Sequence, residues 1–252
     1  MNKVETTRHI VDPFHTDYKK QLSWETLGVD LLNAAENHAA LRGFGMKDVN
    51  DVNYTWVLAR LVIELDTTPV VYQDYHIDTW IENVYSLFTN RNYAIHDGKG
   101  TVYGYARSIW STINYETRKP VDLIEFHGKE FDAYCAPEIN CPIAPYSRIK
   151  PLSGAEIVKM HKVNYSDIDM NGHVNSMKYL QHLRDIFSLE QYRRQRLRRV
   201  ELQYQKESYY GQFLQFFMKK ESDNIYDVEI CRTDDETHEK GEVCVRARLI
   251  FE

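Results

Sequence analysis

The sequence predicts an α+β protein in which a helix followed by an antiparallel sheet occurs twice along the chain. Three observations lead to this prediction. An amphipathic helical stripe opens each half, strand-like segments follow each stripe, and most connectors are too short for parallel crossovers. The 252-residue chain is long enough for such a duplicated core, and its composition, 43% hydrophobic and 27% charged, is that of a globular protein.

The helix of the first half is predicted over residues 23–42. Ser23 is a plausible N-cap and Gly43 a plausible stop signal. Apolar residues recur in between at three- and four-residue steps, namely Trp24, Leu27, Leu31, Ala35 and Ala39. The strand-like segments that follow are rich in β-branched and aromatic residues, and they read "TWVLARLVIEL", "YQDYHIDTWIENV", "SLFTNRNYAIHD" and "TVYGYARSIWSTINY".

The second half repeats this order. A helix is predicted from His173 to about Tyr192, with the stripe Val174, Met177, Leu180, Leu183 and Phe187. The strands that follow are predicted in "RVELQYQKE", "QFLQFFMKK", "YDVEICR" and "VCVRARLIF". In the last of these, one face is expected to carry Val243, Val245, Ala247, Leu249 and Phe251.

A helix wrapped by an antiparallel sheet, present twice, indicates a double hotdog architecture. We expect two long helices and two sheets joined edge to edge, because pairing would remove an exposed edge from each sheet. The segment between the halves contains four prolines, as a linker does. The predicted organisation is therefore an N-terminal hotdog at residues 1–126, a linker at 127–151 and a C-terminal hotdog at 152–252.

Charge and targeting signals exclude several classes of protein. The formal net charge of −6 argues against a nucleic-acid partner, because phosphate binding needs a basic face. The first residues lack the apolar core of a signal peptide, and no stretch approaches a membrane span, so a cytoplasmic protein without a membrane partner is expected. The cysteines have no C-x-x-C spacing and are expected to be free thiols.

The segment "DIDMNGHVNSMKYL" concentrates polar chemistry just before the second helical stripe. Asp169, Asn171 and His173 stand there at alternate positions. Asp169 or Asn171 can simply cap the helix. Alternatively, the free N–H groups of a helix start polarise a carbonyl while an acid and an imidazole position or deprotonate water. Metal binding fits less well, because the nearest downstream histidine is His182, so no metal and no cofactor are predicted.

A second acid follows the first strand after that helix. Glu207 continues the phase of Glu201 and lies opposite the apolar face of the strand, so it is either a catalytic carboxylate or one more solvated charge. Ser208 comes next and is not surrounded by the G-x-S-x-G elbow of nucleophilic serines. Ser208 is therefore either a catalytic residue or a turn residue.

These segments together resemble the acyl-acyl carrier protein thioesterases of plants and bacteria. "YSDIDMNGHVNSMKYL" is similar to the family signature D-x-N-x-H-V-N-N-x-x-Y, and "VELQYQKES" is similar to L-x-Y-x-x-E-C. "YTWVLARLVIEL", "YHIDTWIENV" and "RSIWSTINYETRKPVDL" look like the family's first-half signature. The resemblance runs over roughly residues 10–252. It implies a cofactor-free double hotdog that hydrolyses fatty acyl-acyl carrier protein to free fatty acid and holo-carrier in fatty acid biosynthesis.

The resemblance also implies roles for particular residues. The family's catalytic residues fall on Asp169, Asn171, His173 and Glu207, and its cysteine falls on Ser208. Serine is a poor nucleophile without a poised base, so attack by water is expected, with either Glu207 or His173 as proton acceptor. The first half has "DYKKQLSWETLGVD" in place of the motif, which implies one active site per chain and an acyl-chain pocket in the first half.

An arginine-rich stretch, "YRRQRLRRV", suggests a docking surface for the acidic carrier protein. It contains Arg193, Arg194, Arg196, Arg198 and Arg199, and the alternative is a solvated helix end. A monomer or a homodimer is expected. Two other functions stay open, an acyl-coenzyme A thioesterase with the same residues and a non-catalytic hotdog that binds acyl thioesters.

Overall fold

The protein consists of two compact units, Met1–Pro145 and Tyr146–Glu252. The structure, a computed structural model, describes residues 2–252, and it describes the side chains of these residues except for 126–130. Within the described part of the chain, no helix is long and apolar enough to cross a membrane. Both units combine helices with an antiparallel sheet, so the predicted α+β class is confirmed. The finer domain boundaries stay a prediction.

The first unit is built on an antiparallel sheet with the strand order β1–β3–β4–β5–β2. Its strands are β1 (Val4–Ile10), β2 (Tyr54–Leu65), β3 (Asp74–Val84), β4 (Thr89–His96) and β5 (Val102–Asn114). Its helices are α1 (Trp24–Ala40), α2 (Met46–Asn50) and α3 (Leu123–His127). Strands β2 to β5 match the four segments predicted from sequence.

Helix α1 forms as predicted. The Ser23 hydroxyl accepts the Thr26 N–H at 3.2 Å and caps the first turn, while Gly43 adopts a φ of +76° just beyond the end. The whole predicted stripe is buried. It packs against β3, whose buried residues alternate with less buried ones from Tyr75 to Thr79. The alternation and the stripe thus form one core between helix and sheet.

The second unit repeats the arrangement with the strand order β7–β10–β9–β8–β6. Its strands are β6 (Glu156–Lys162), β7 (Leu197–Tyr204), β8 (Phe213–Ser222), β9 (Ile225–Thr233) and β10 (Glu242–Phe251). The predicted inner face of β10 is buried from Val245 onward, but a register shift between Val243 and Val245 turns Cys244 inward instead of Val243.

The prediction of a long second helix is wrong. Two short helices occupy the segment, α4 (Ser176–Arg184) and α5 (Leu189–Arg194). The chain turns between them because Ser188 caps α5, its hydroxyl accepting the Gln191 N–H at 3.2 Å, and because Phe187 inserts among the rings of Tyr226 and Phe251. The apolar stripe is nevertheless buried throughout, from Val174 to Phe187.

Strands β1 and β6 were not predicted from the sequence. Both lie at one edge of their sheets and carry mostly polar residues, so neither shows the alternation of a half-buried strand. The expectation of free thiols is confirmed, because Cys135, Cys141, Cys231 and Cys244 are all free and buried.

Candidate active site

The predicted motif lies on a tight turn that precedes helix α4. The Asp169 carboxylate accepts the backbone N–H groups of Asn171 at 2.8 Å and of His173 at 3.3 Å. The Asp169 N–H in turn donates to the His173 carbonyl at 2.8 Å. Gly172 has a φ of +82°, a conformation that glycine adopts without strain. The carboxylate of Asp169 therefore holds the turn together.

Helix α4 does not begin at this motif. Its N-cap is Asn175, whose side chain accepts the Met177 N–H at 2.8 Å. The alternative that Asp169 or Asn171 caps the helix is therefore wrong, and the N–H groups of Asn171 and His173 are not those of a helix start. The N–H groups of those two residues are already bonded to Asp169. Asn171 itself is exposed on the turn.

Glu207 is brought to this turn by a second segment that runs beside it. The Val174 N–H donates to the Ser208 carbonyl at 2.8 Å, and His173 forms an antiparallel bridge with Tyr209. As a result, the His173 Nε2 lies 3.4 Å from the Glu207 Oε2. Both side chains are partly exposed, at 23% and 29%, so water and a substrate can reach them. An imidazole and a carboxylate in this arrangement can deprotonate water together.

Ser208 is unsuited to nucleophilic attack. The residue is fully buried, and its Oγ has no hydrogen-bond partner among the described residues. Its polar neighbours are the hydroxyl of Tyr179 and the thiol of Cys244. Burial raises the pKa of Tyr179, and it raises the pKa of Cys244 to about 11, so neither is a base near neutral pH. Cys244 itself, buried and protonated, is not a substitute nucleophile.

His182 belongs to a different cluster from His173. The buried carboxylate of Asp167 accepts from His161 Nε2 at 2.8 Å, from His182 Nε2 at 3.0 Å and from the Asn164 N–H at 2.8 Å. Burial alone would raise the pKa of Asp167, but these hydrogen bonds hold it below its ordinary value. Burial also lowers the pKa of His182, which favours the neutral ring.

The atoms of this cluster lie within 4.8 Å of one another, close enough to hold a metal ion. The two imidazole rings are tilted by 35° to each other, with their centroids 3.9 Å apart. Each Nε2 already binds a different oxygen of Asp167. The arrangement fits a hydrogen-bonded brace between β6 and α4 better than a metal centre.

The arginine-rich stretch is less uniform than its sequence suggests. Arg193 and Arg194 are exposed at the end of α5 and share Glu190, at 3.7 and 2.9 Å. Arg196 and Arg198 pair with Glu252. Arg199 is buried against Glu201 at 2.8 Å, so the expectation that it belongs to a docking surface is wrong for this residue.

Tyr209 and Arg232 also contact the site, although the sequence analysis did not select them. The Tyr209 hydroxyl donates to the Glu207 Oε2 at 3.2 Å, and the Arg232 guanidinium donates to the Glu207 carbonyl. Tyr209 stands next to Ser208 in the sequence and continues the segment that carries Glu207. Proximity to Glu207 was thus a possible signal for Tyr209, whereas Arg232 lies on a distant strand.

Two models of known protein domains match the two halves of this chain. Models of the acyl-ACP thioesterase N-terminal domain and C-terminal domain match residues 2–127 and 152–252. The chain therefore belongs to the acyl-ACP thioesterase family, as the motifs predicted.

Two solved structures and a curated plant protein are similar to this chain. An acyl-ACP thioesterase from Bacteroides thetaiotaomicron is 44% identical over 99% of this chain and 98% of its own, with a TM-score of 0.90. A 12:0-ACP thioesterase from Umbellularia californica, 17% identical over 100% of this chain and 98% of its own, shares the fold with a TM-score of 0.85. Oleoyl-acyl carrier protein thioesterase 2 of Arabidopsis thaliana, a chloroplastic protein, is 27% identical over 69% of this chain. The chain spans about half the length of the curated relatives it matches.

Proposed function

We propose that the protein hydrolyses the thioester of a fatty acyl-acyl carrier protein, releasing a free fatty acid and the holo-carrier in fatty acid biosynthesis. The observation that carries the proposal is the approach of the His173 imidazole to the Glu207 carboxylate, 3.4 Å apart and open to solvent. Membership of the acyl-ACP thioesterase family supports the substrate class.

In the proposed reaction, water attacks the thioester carbonyl carbon. Glu207 accepts a proton from that water, and the side chains of Asn171 and His173 position the water. The C–S bond breaks as the tetrahedral intermediate collapses, and the thiolate of the carrier arm takes up a proton on leaving. A single water thus supplies the hydroxyl of the fatty acid and the proton of the thiol. Asp169 contributes by holding the turn that carries His173.

Single substitutions test this assignment. Glu207→Gln keeps the shape of the side chain but removes its basicity, so kcat is expected to fall by about 10²- to 10⁴-fold. Ser208→Ala removes a hydroxyl that has no role in the proposed chemistry, so turnover is expected to stay within about twofold, a change of under 1 kcal/mol in the barrier. The measurement is thiol release from a carrier-bound acyl thioester. Loss of turnover in Ser208→Ala with full turnover in Glu207→Gln would refute water activation by Glu207.

The carrier protein is proposed to dock on the exposed pair Arg193 and Arg194. Opposite charges steer the encounter of two proteins, and these two guanidinium groups lie exposed at the end of α5. Reversing both charges is expected to raise KM for the carrier-bound substrate and to spare the same acyl chain on coenzyme A. Equal effects on both substrates would contradict docking at this pair, and faster turnover of the coenzyme A thioester by the wild type would favour an acyl-coenzyme A thioesterase.

A further inference from the structure

Tyr209 contacts both members of the proposed catalytic pair. Its hydroxyl lies 3.2 Å from the Glu207 Oε2, the same oxygen that faces the His173 Nε2. Its ring packs edge-on against the His173 imidazole, with the centroids 5.3 Å apart and the planes at 82°. One side chain thus contacts the carboxylate with its hydroxyl and the imidazole with its ring.

The Tyr209 ring is itself held in place. The Arg232 guanidinium lies 5.7 Å from the ring centroid and also donates to the Glu207 carbonyl. Arg232 is in turn fixed by Glu242, which accepts from its Nη2 at 2.8 Å and from its Nε at 3.2 Å. Strands β9 and β10 therefore supply a rigid support for a segment that lies outside any strand.

The Glu207–His173 pair needs such support. Both side chains are partly exposed, Glu207 has several rotatable bonds, and the 3.4 Å separation is longer than a strong charge-assisted hydrogen bond. A second donor on the same oxygen limits the rotamers of the carboxylate. A ring against the imidazole limits the rotation of His173.

We propose that Tyr209 is a positioning residue of the active site, whose hydroxyl orients the Glu207 carboxylate and whose ring orients the His173 imidazole. This inference rests on the proposed function. The first unit offers a natural contrast, because Val70 occupies the corresponding bridge position opposite Gln21, where neither an acid nor a histidine has to be oriented.

Two variants distinguish the contribution of the Tyr209 hydroxyl from that of its ring. Tyr209→Phe removes only the donor, so kcat is expected to fall about tenfold with KM within about twofold. Tyr209→Leu also removes the ring, and a further fall in kcat is expected. Neither variant should change the thermal melting temperature greatly, because Tyr209 is 42% exposed.

Tyr210→Phe is the matched control. Tyr210 is the next residue, is 70% exposed and lies outside the contacts of Glu207 and His173 described above, so kcat and KM of this variant should equal those of the wild type. A wild-type kcat in Tyr209→Phe, or a fall in kcat matched by an equal change in KM, would overturn the role of Tyr209. Glu207→Gln in the same assay tells the two failures apart. If it is inactive while Tyr209→Phe is normal, only the inference about Tyr209 fails, whereas full activity in Glu207→Gln overturns both proposals.

Discussion

The two units contain the same turn before their first helix, and only one of them contains the residues of a candidate active site. In the first unit, the Asp17 carboxylate accepts the N–H groups of Lys19 at 2.8 Å and Gln21 at 3.0 Å. The Asp17 N–H donates to the Gln21 carbonyl at 2.8 Å. In the second unit, Asp169 makes the equivalent three bonds to Asn171 and His173.

The segment that runs beside each turn is duplicated as well. The Leu22 N–H donates to the Pro69 carbonyl at 2.9 Å, as the Val174 N–H does to the Ser208 carbonyl at 2.8 Å. By this correspondence Thr68 stands where the second unit has Glu207. Even the left-handed residue of the turn is kept, although it is Lys20 in the first unit and Gly172 in the second.

Asp17 and Asp169 have the same structural role in the two turns. Asp17 braces its turn where position 21 is glutamine rather than histidine, so the brace does not depend on catalysis. Asp169 is therefore explained by the geometry of the turn. The residues of the proposed reaction, Asn171, His173 and Glu207, are replaced in the first unit by Lys19, Gln21 and Thr68.

The largest expected effect is a loss of kcat when His173 is replaced by glutamine, the residue at the corresponding position 21 of the first unit. His173→Gln places in the second turn the residue that the first turn already accommodates, so the fold is expected to persist. The value of kcat is expected to fall by about 10³-fold or more, because the imidazole is lost from the proposed site. Thiol release and circular dichroism measure the two effects.

The matched control for this exchange is Gln21→His, which adds an imidazole to the first turn without a nearby Glu207 and should leave turnover unchanged. Retention of more than about a tenth of wild-type kcat, a barrier change below about 1.4 kcal/mol, in His173→Gln would mean that the difference between the turns is not the source of activity.

The buried histidines also differ between the units and predict a dependence of stability on pH. His38 is fully buried, with its Nδ1 at 3.3 Å from Arg91 and its Nε2 at 3.2 Å from the Lys3 carbonyl. Burial, together with the charges of Arg91 and Arg42, lowers the pKa of His38 to about 3. The unfolded chain therefore binds a proton below about pH 6.5 that the folded chain does not. The stabilisation is complete above that pH and declines towards pH 3.

As the pH falls from about 6.5 to about 5, the free energy of unfolding is expected to decrease by about 2 kcal/mol because of His38 alone. Urea unfolding, followed by a spectroscopic signal of the first unit at the two pH values, measures this loss. His38→Gln retains a donor and an acceptor but cannot be protonated, so its loss should be smaller by that amount. His15→Gln removes a half-exposed histidine and serves as control. An equal pH dependence in the wild type and His38→Gln would show that the buried ring does not couple folding to protons.

The last expected effect is local and concerns the carboxylates of Asp17 and Asp169, which hold the two turns. Asp17→Ala and Asp169→Ala each remove the acceptor of two backbone N–H groups, which is expected to destabilise either turn locally by about 1–3 kcal/mol. Hydrogen exchange of the amides at 19, 21, 171 and 173 reports on this directly. Only Asp169→Ala should lower turnover, because only its turn carries His173. If Asp169→Ala abolishes turnover while exchange at 171 and 173 stays slow, Asp169 takes part in the chemistry itself.

Much of the fold could be predicted from the sequence because its elements carry strong local signals. The stripe and caps of α1 and the alternation in β2 to β5 depend on nearby residues, and each prediction was confirmed. The break between α4 and α5 has only one such local signal, the Ser188 cap of α5. It depends also on the packing of Phe187 against Phe251, which comes from the last strand of the unit.

The sequence by itself determined the chemistry available to this protein and the family to which it belongs, because residue identity is local information. Asp169, Asn171, His173 and Glu207 are in the sequence whatever the fold. Only the tertiary structure decided which of them lie together. The hydrogen bond between Val174 and Ser208 sets the register that brings His173 to Glu207, buries Ser208 and places Tyr209 against both. That register depends on contacts between distant segments, which no local pattern encodes.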